Sequence, residues 1–251
     1  MRKILALAVL GCLLTGAGRA PAADKDDAVA ILDKAIKAQG GAEALAKTAQ
    51  FICKGSGTLT LFDTDLAFTD ELVVQRPDRL RFTLDVVGAD KQKTRAVLVL
   101  NKNKGWQENG GVAMELGEER VSELKEEAHV QWVCMLLTLV QKDSPYQLTT
   151  AKEIKVGDKA AVGVKATLKG HPDITLYFDK DSGLLVKIER QAKEAGLELA
   201  KEYFFSDYKE VDGVKLPMRL VEKLNGKKFT DLKVDSYKLL DKVDEAQFGK
   251  P

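Results

Sequence analysis

The segment Glu71-Leu-Val-Val-Gln-Arg-Pro-Asp-Arg-Leu-Arg-Phe-Thr-Leu84 constrains the fold more than any other part of the chain. After Pro77-Asp78, the residues Leu80, Phe82, Leu84 and Val86 alternate with Arg79, Arg81, Thr83 and Asp85. A period of two is the mark of a strand with one buried face. Before the proline, Leu66, Phe68, Leu72 and Val74 share one parity and so one face of a preceding strand. Asp70 and Arg76 fall on that same apolar face. Each is an anomaly, because a buried charge must find a partner or change its ionisation. A bulge that turns Asp70 outward is one solution. For Arg76, at a strand end, the bland solution lays its stem on the apolar face and keeps its head in water.

Strand patterns recur along most of the chain. They cover residues 51–62, 66–76, 79–87, 94–100, 105–108 and 112–116, then 147–156, 162–169, 174–178, 184–191, 200–208, 214–223 and 228–239. Glycines at 55 and 57 mark a bulge or bend in the first. Asn109-Gly110-Gly111, the turn ending at Gly183 and Val211-Asp212-Gly213 punctuate hairpins. Pro217, inside 214–223, indicates an edge or a bulge. Two helices interrupt the series. Residues 24–39 place Ala28, Ile31, Leu32, Ala35 and Ile36 at helical spacing before Gly40-Gly41. Residues 118–141 begin charged and end in a run, Val130 to Val140, that is apolar nearly all round. Such a helix must be covered on several sides. It suits a core helix, or a plug or lid over an apolar pocket. No strand–helix–strand alternation appears, so the sheet should be antiparallel. The fold class is therefore mostly β (α+β): a single large curved antiparallel sheet closed by an N-terminal helix and a central helix. The central helix equally suits a boundary between two smaller sheets.

Residues 1–22 read as a signal peptide, and 23–251 as one domain. Met1-Arg2-Lys3 precedes a short apolar run from Ile4 to Leu14, and Ala20-Pro21-Ala22 supplies small residues for cleavage. Lipoprotein processing at Cys12 is the alternative, ranked below simple secretion. The expected location is periplasmic or secreted. With 39 Lys and Arg against 38 Asp and Glu, no basic field exists to hold nucleic acid or an anionic membrane. Cys53 and Cys134 read as buried small hydrophobes or a disulfide pair. His129 and His171 lack ligand-spaced partners, so no metal site is expected, and no cofactor. No nucleophile elbow, zinc-protease, P-loop or dinucleotide motif is present, so no catalytic residues are expected. The many carboxylates sit beside lysines on polar faces and read as solvated surface.

The segment ELVVQRPDRLRFTLD, followed by Arg95-Ala-Val-Leu-Val-Leu-Asn-Lys-Asn-Lys-Gly-Trp106 and later by Asp212-Gly-Val-Lys-Leu-Pro217, resembles the LolA/LolB-like superfamily of periplasmic lipoprotein carriers. The resemblance extends in pattern over most of the chain after residue 22. It implies a half-open antiparallel barrel whose concave apolar face accepts acyl chains, closed by helices. It also implies that Arg76 latches the lid by donating to helix backbone. The lining expected on this reading is Leu66, Phe68, Leu72 and Val74 with Leu80, Phe82, Leu84 and Val86. The expected lid is Trp132, Val133, Met135, Leu136 and Leu137. The expected ligand is a lipoprotein acyl chain or another apolar lipid. The alternative is an envelope structural or signalling module that binds a protein partner through a sheet edge or face.

Overall fold

The computed structural model describes residues 21–251 except Ala89 and Ala195. The expected signal peptide, with Cys12, lies outside the described residues apart from Pro21 and Ala22.

Helix α1 (Pro21–Ala38) buries Ala28, Leu32, Ala35 and Ile36 along one stripe. Gly40 and Gly41 stop it, with φ of 118° and 92°. A side chain on Gly40 would meet the Gly213 carbonyl oxygen at 2.1 Å, so the chain there needs glycine for contact as well as for conformation. Helix α2 (Ala42–Ala46) and a single 3-10 turn (Lys47–Ala49) lead into the sheet.

Six strands follow: β1 (Gln50–Leu61), β2 (Thr64–Gln75), β3 (Arg79–Val87), β4 (Lys93–Asn101), β5 (Lys104–Asn109) and β6 (Val112–Glu115). After helices α3 (Glu118–Val133) and α4 (Leu137–Val140) come β7 (Gln147–Val156), β8 (Lys159–Thr167), β9 (Ile174–Asp179), β10 (Leu185–Glu194) and β11 (Leu197–Ser206). The chain ends with β12 (Lys209–Val211), β13 (Val214–Leu216), β14 (Arg219–Leu224) and β15 (Lys227–Leu239). Thirteen strands form one antiparallel sheet in the order β6-β5-β4-β3-β2-β1-β15-β14-β11-β10-β9-β8-β7, and β12–β13 is a hairpin beside it. The sheet does not close, and the architecture is an open half-barrel. The two halves flanking the central helices belong to one sheet rather than two, because β15 pairs with β1 from Phe51↔Leu239 to Leu59↔Thr230.

This order explains where the central helices lie. The first six strands step outward to one edge, and the chain must then reach β7 at the opposite edge. In a curved sheet the short route between edges crosses the concave side. Register shifts at Lys54/Gly55, Ala151/Ile154, Leu185/Lys187 and Glu222/Lys223 supply local twist for that curvature.

Two expectations need correction. The helix expected over 118–141 is broken: α3 ends at Val133, Leu136 takes φ 60°, and α4 restarts at Leu137. A straight helix apolar all round would leave one side uncovered. The break turns Leu136 and Leu139 into the main core beside Leu32 of α1 and Leu148, Val164 and Leu176 of the sheet. The strand expected over 214–223 is also split. Pro217 has no N–H for the ladder, so β13 pairs with β12, while β14 joins β11 and β15.

The sheet is apolar on both faces in its first half. On the concave side Leu80 and Leu100 pack under Val121, Leu124 and Ala128 of α3. On the other side Val73, Val97 and Val99 are covered by Val243 and Phe248 from the C-terminal tail.

Candidate functional site

Beneath α3 the half-barrel encloses a cavity of about 490 Å³. This lies within the range of about 300–1,000 Å³ typical of ligand pockets. Its walls are mainly apolar side chains of β1, β2, β3, β14 and β15.

The expected lining residues divide. Phe68, Leu72, Phe82 and Leu84 line the cavity. Ladder pairs Leu72↔Phe82 and Asp70↔Leu84 put these parities on one face. Val74 shares that face but is packed against Phe51, Cys53 and Val234. Leu80 lies under α3 and lines only a smaller adjoining cavity of about 170 Å³. Leu66 and Val86 are near the ends of their strands, beyond the lining. The expected lid residues Trp132, Val133, Met135, Leu136 and Leu137 do not line the cavity. Val133 and Leu136 are core, Leu137 packs against that core, Met135 is buried, and Trp132 is half-buried. The covering stripe is instead Glu127, Val130, Gln131 and Cys134. Those positions follow helical spacing, but the stripe carries a charge and an amide, so a search for the most apolar run misses it.

Arg76 bonds to this cover and to the turn before β1. Its Nε donates to the Gln131 carbonyl oxygen at 2.7 Å, and its Nη1 donates to the Thr48 carbonyl. Its backbone N–H donates to the Ala49 carbonyl at 2.9 Å. The Gln131 carbonyl is free because the helix is ending. The Met135 amide, its would-be partner, donates to Trp132 instead, at 3.2 Å. The guanidinium carbon lies 5.0 Å from the Phe51 ring centroid. Burial lowers the Arg76 pKa to about 10, which leaves it charged at neutral pH.

The wall also holds charge. Glu127 of α3 accepts from Lys201 at 2.9 Å, from Arg190, and from the Tyr203 hydroxyl at 3.2 Å. Lys201 also meets Glu194 at 2.9 Å and Glu222 at 3.6 Å. Arg190 and Lys201 are each only 6 % exposed. Burial raises the Glu127 carboxyl, but Arg190 and Lys201 outweigh it and hold its pKa below the ordinary value. Glu222 is raised to about 7, by burial first and by Glu127 and Glu194 against the relief from Lys201. The expectation of a solvated surface fails for Glu222, whose side chain is 14 % exposed, whereas Glu127 and Glu194 stay more than a third exposed but are held by partners. Their partners come from α3, β10, β11 and β14, and nothing in the local sequence announces that meeting.

Asp70 also remains inward. The bulge that could have turned it out lies on the partner strand, at Lys54/Gly55 of β1. Asp70 lines the cavity, and its Oδ1 is buried without a hydrogen-bond partner. Burial raises its pKa to about 6, with relief from the Gly55 backbone and a further rise from Asp235. Cys53 and Cys134 both line the cavity as free thiols. Burial raises them to about 12 and about 11. His129 and His171 stack with ring centroids 4.1 Å apart, and His171 Nδ1 lies 3.0 Å from a Glu126 oxygen.

No protein-family model matches the sequence, and no curated protein matches it. Solved structures do. A LolA superfamily protein from Nitrosomonas europaea superposes with a TM-score of 0.54 at 14 % identity, over 89 % of this chain and 97 % of that one. A domain assigned as an outer membrane lipoprotein-sorting protein from Vibrio parahaemolyticus gives the same values: 0.54, 14 %, 89 % and 97 %. A DUF1329 family protein from Desulfovibrio piger gives 0.55 at 12 % identity, over 88 % and 97 %. The chain has the LolA-like fold.

Proposed function

We propose that this chain is a non-enzymatic extracytoplasmic binding or carrier protein that holds an acyl chain or another apolar ligand in the cavity beneath α3. The observation that carries this reading is the cavity itself, apolar in its main walls and closed by a helix pinned through Arg76. Each buried methylene contributes roughly 0.8 kcal/mol, so a chain of about ten gains about 8 kcal/mol, of the same order as the cost of association. The fold shared with a LolA superfamily protein and a lipoprotein-sorting domain supports a lipid or lipoprotein acyl chain as cargo, and a periplasmic or secreted location. Among the described residues no helix is long and apolar enough to cross a membrane. Filling the cavity tests the reading. Nile red, a neutral polarity-sensitive dye, should bind the wild type and brighten, and Leu220→Trp should abolish that while the fold is kept. A dye signal unchanged by Leu220→Trp counts against the cavity as the site.

A second reading, a protein partner added at a sheet edge, draws on β6. This short edge strand exposes Val112 and Met114 by 65 % and 55 %. Backbone amide protection along β6 should rise in an envelope extract if an edge partner is present.

A further inference from the structure

The cavity is apolar in area but not neutral in charge. Four carboxylates line it, Asp70, Glu127, Glu194 and Glu222, against two cations, Arg76 and Lys201. Lys201 is matched by carboxylates, whereas Arg76 meets none among the described residues and is held by carbonyl oxygens. Lys201 is shared among Glu127, Glu194 and Glu222. Arg76 spends Nε and Nη1 on carbonyl oxygens. Glu127 is further matched by Arg190.

Asp70 is the exception. It lies in the wall between Phe68 and Leu72 of its own strand and opposite Leu84 of β3, all lining residues. No cation forms an ion pair with it among the described residues, and its Oδ1 is buried without a hydrogen-bond partner. The charged and titratable groups that act on it are Asp235 and Tyr237 of β15 and Cys53 of β1, none of them cationic. A buried carboxylate without a counter-charge is costly, and a ligand that brings one recovers that cost.

We propose that the cavity selects amphiphiles whose apolar chain ends in a protonated amine, seated on the Asp70 carboxylate, and disfavours chains that end in a carboxylate. This rests on the apolar-cargo reading above and adds the chemistry of the head. An anionic head would meet Asp70 in a poorly solvated wall, where like charges a few ångströms apart repel by more than about 1 kcal/mol.

Displacement of Nile red by three ligands of equal chain length tests it: dodecylamine, dodecanol and laurate, at pH 8. Dodecylamine should displace the dye at a concentration at least about tenfold below laurate, with dodecanol between them. Asp70→Asn should shrink the gap between amine and laurate to less than about threefold, with the far-UV circular dichroism of the variant unchanged to show the fold intact. The wild type provides a second readout without substitution. At pH 5, below the raised Asp70 pKa of about 6, the advantage of the amine over the alcohol should fall. Laurate displacing as well as dodecylamine at pH 8, or an amine preference that survives Asp70→Asn, overturns this inference alone. Failure of all three ligands, dodecanol included, overturns the apolar-cargo reading together with it.

Discussion

Replacing Arg76 by leucine removes the two side-chain donors that hold the Gln131 and Thr48 carbonyls while leaving an apolar side chain against Phe51. A hydrogen bond from a charged donor contributes about 1.5–3 kcal/mol, and an acceptor left buried and unpaired costs a similar amount. Two such bonds give about 3–6 kcal/mol gross. The burial that lowers the Arg76 pKa to about 10 is recovered in the variant, so the net loss falls near the lower end. A local loss of about 3 kcal/mol raises the opening equilibrium roughly a hundredfold. Native-state hydrogen exchange reads this at the end of α3. The Cys134, Met135 and Leu136 amides, which donate to Val130, Trp132 and Val133, should lose about a hundredfold in protection. Amides in the centre of β4 should change much less. Arg76→Lys should fall between, since one ammonium lacks the planar fork that reaches both carbonyls. Protection in 134–136 that stays within about threefold of the wild type refutes the latch. So does an equal loss in β4, which would mean that Arg76 supports the fold as a whole rather than the cover.

Asp70→Asn should stabilise the protein above neutral pH by about 1 kcal/mol, or about 2–4 °C in Tm. The folded pKa of about 6 exceeds the ordinary 3.8, so the contribution of Asp70 to stability is full below the ordinary value and is lost as pH rises through about 6. The gain should therefore be absent near pH 4 and level above about pH 7 in urea titrations, and a variant less stable than the wild type at pH 8 contradicts it. Gly57→Ala should cost at least about 2 kcal/mol in the same titrations, because the new Cβ would meet the Asp231 carbonyl oxygen at 2.1 Å, and backbone cannot step aside as a side chain can. Cys53 and Cys134 should stay unreactive toward a thiol reagent at pH 8 until the protein unfolds, since burial raises their pKa values to about 12 and about 11. Fast labelling of either in native protein contradicts their placement.

The parts of the fold that repeat locally were legible in the sequence. The alternation of Leu80, Phe82 and Leu84 with Arg81 and Thr83 fixes both strand and face, and the turns at Gly110, Gly183 and Gly213 fall where the hairpins are. Arg76 stood out because it broke the pattern of its own strand, and its Nε donates to the Gln131 carbonyl. What depends on distant pairing was not legible. Glu127, Glu194 and Glu222 look like surface acids beside lysines, and only the strand order brings them to Lys201 and Arg190. The cover over the cavity was misplaced for a related reason. Apolarity marks the part of a helix that is most buried, and in α3 and α4 that part faces the core through Val133 and Leu139. The stripe over the cavity mixes Glu127 and Gln131 with Val130 and Cys134, and its orientation follows from the crossing between sheet edges. The tail through Phe248 carries too little periodicity to reveal that it covers the outer face of β4.

The space beneath α3 is proposed to hold an apolar chain. Native mass spectrometry of the protein purified from its own envelope, followed by organic extraction and lipid analysis, tests it most directly. A bound species of one ligand per protein, lost on extraction and absent from Leu220→Trp, is the expected result. A protein that arrives free of lipid, takes up no acyl-chain amphiphile when offered one, and behaves identically to Leu220→Trp contradicts it.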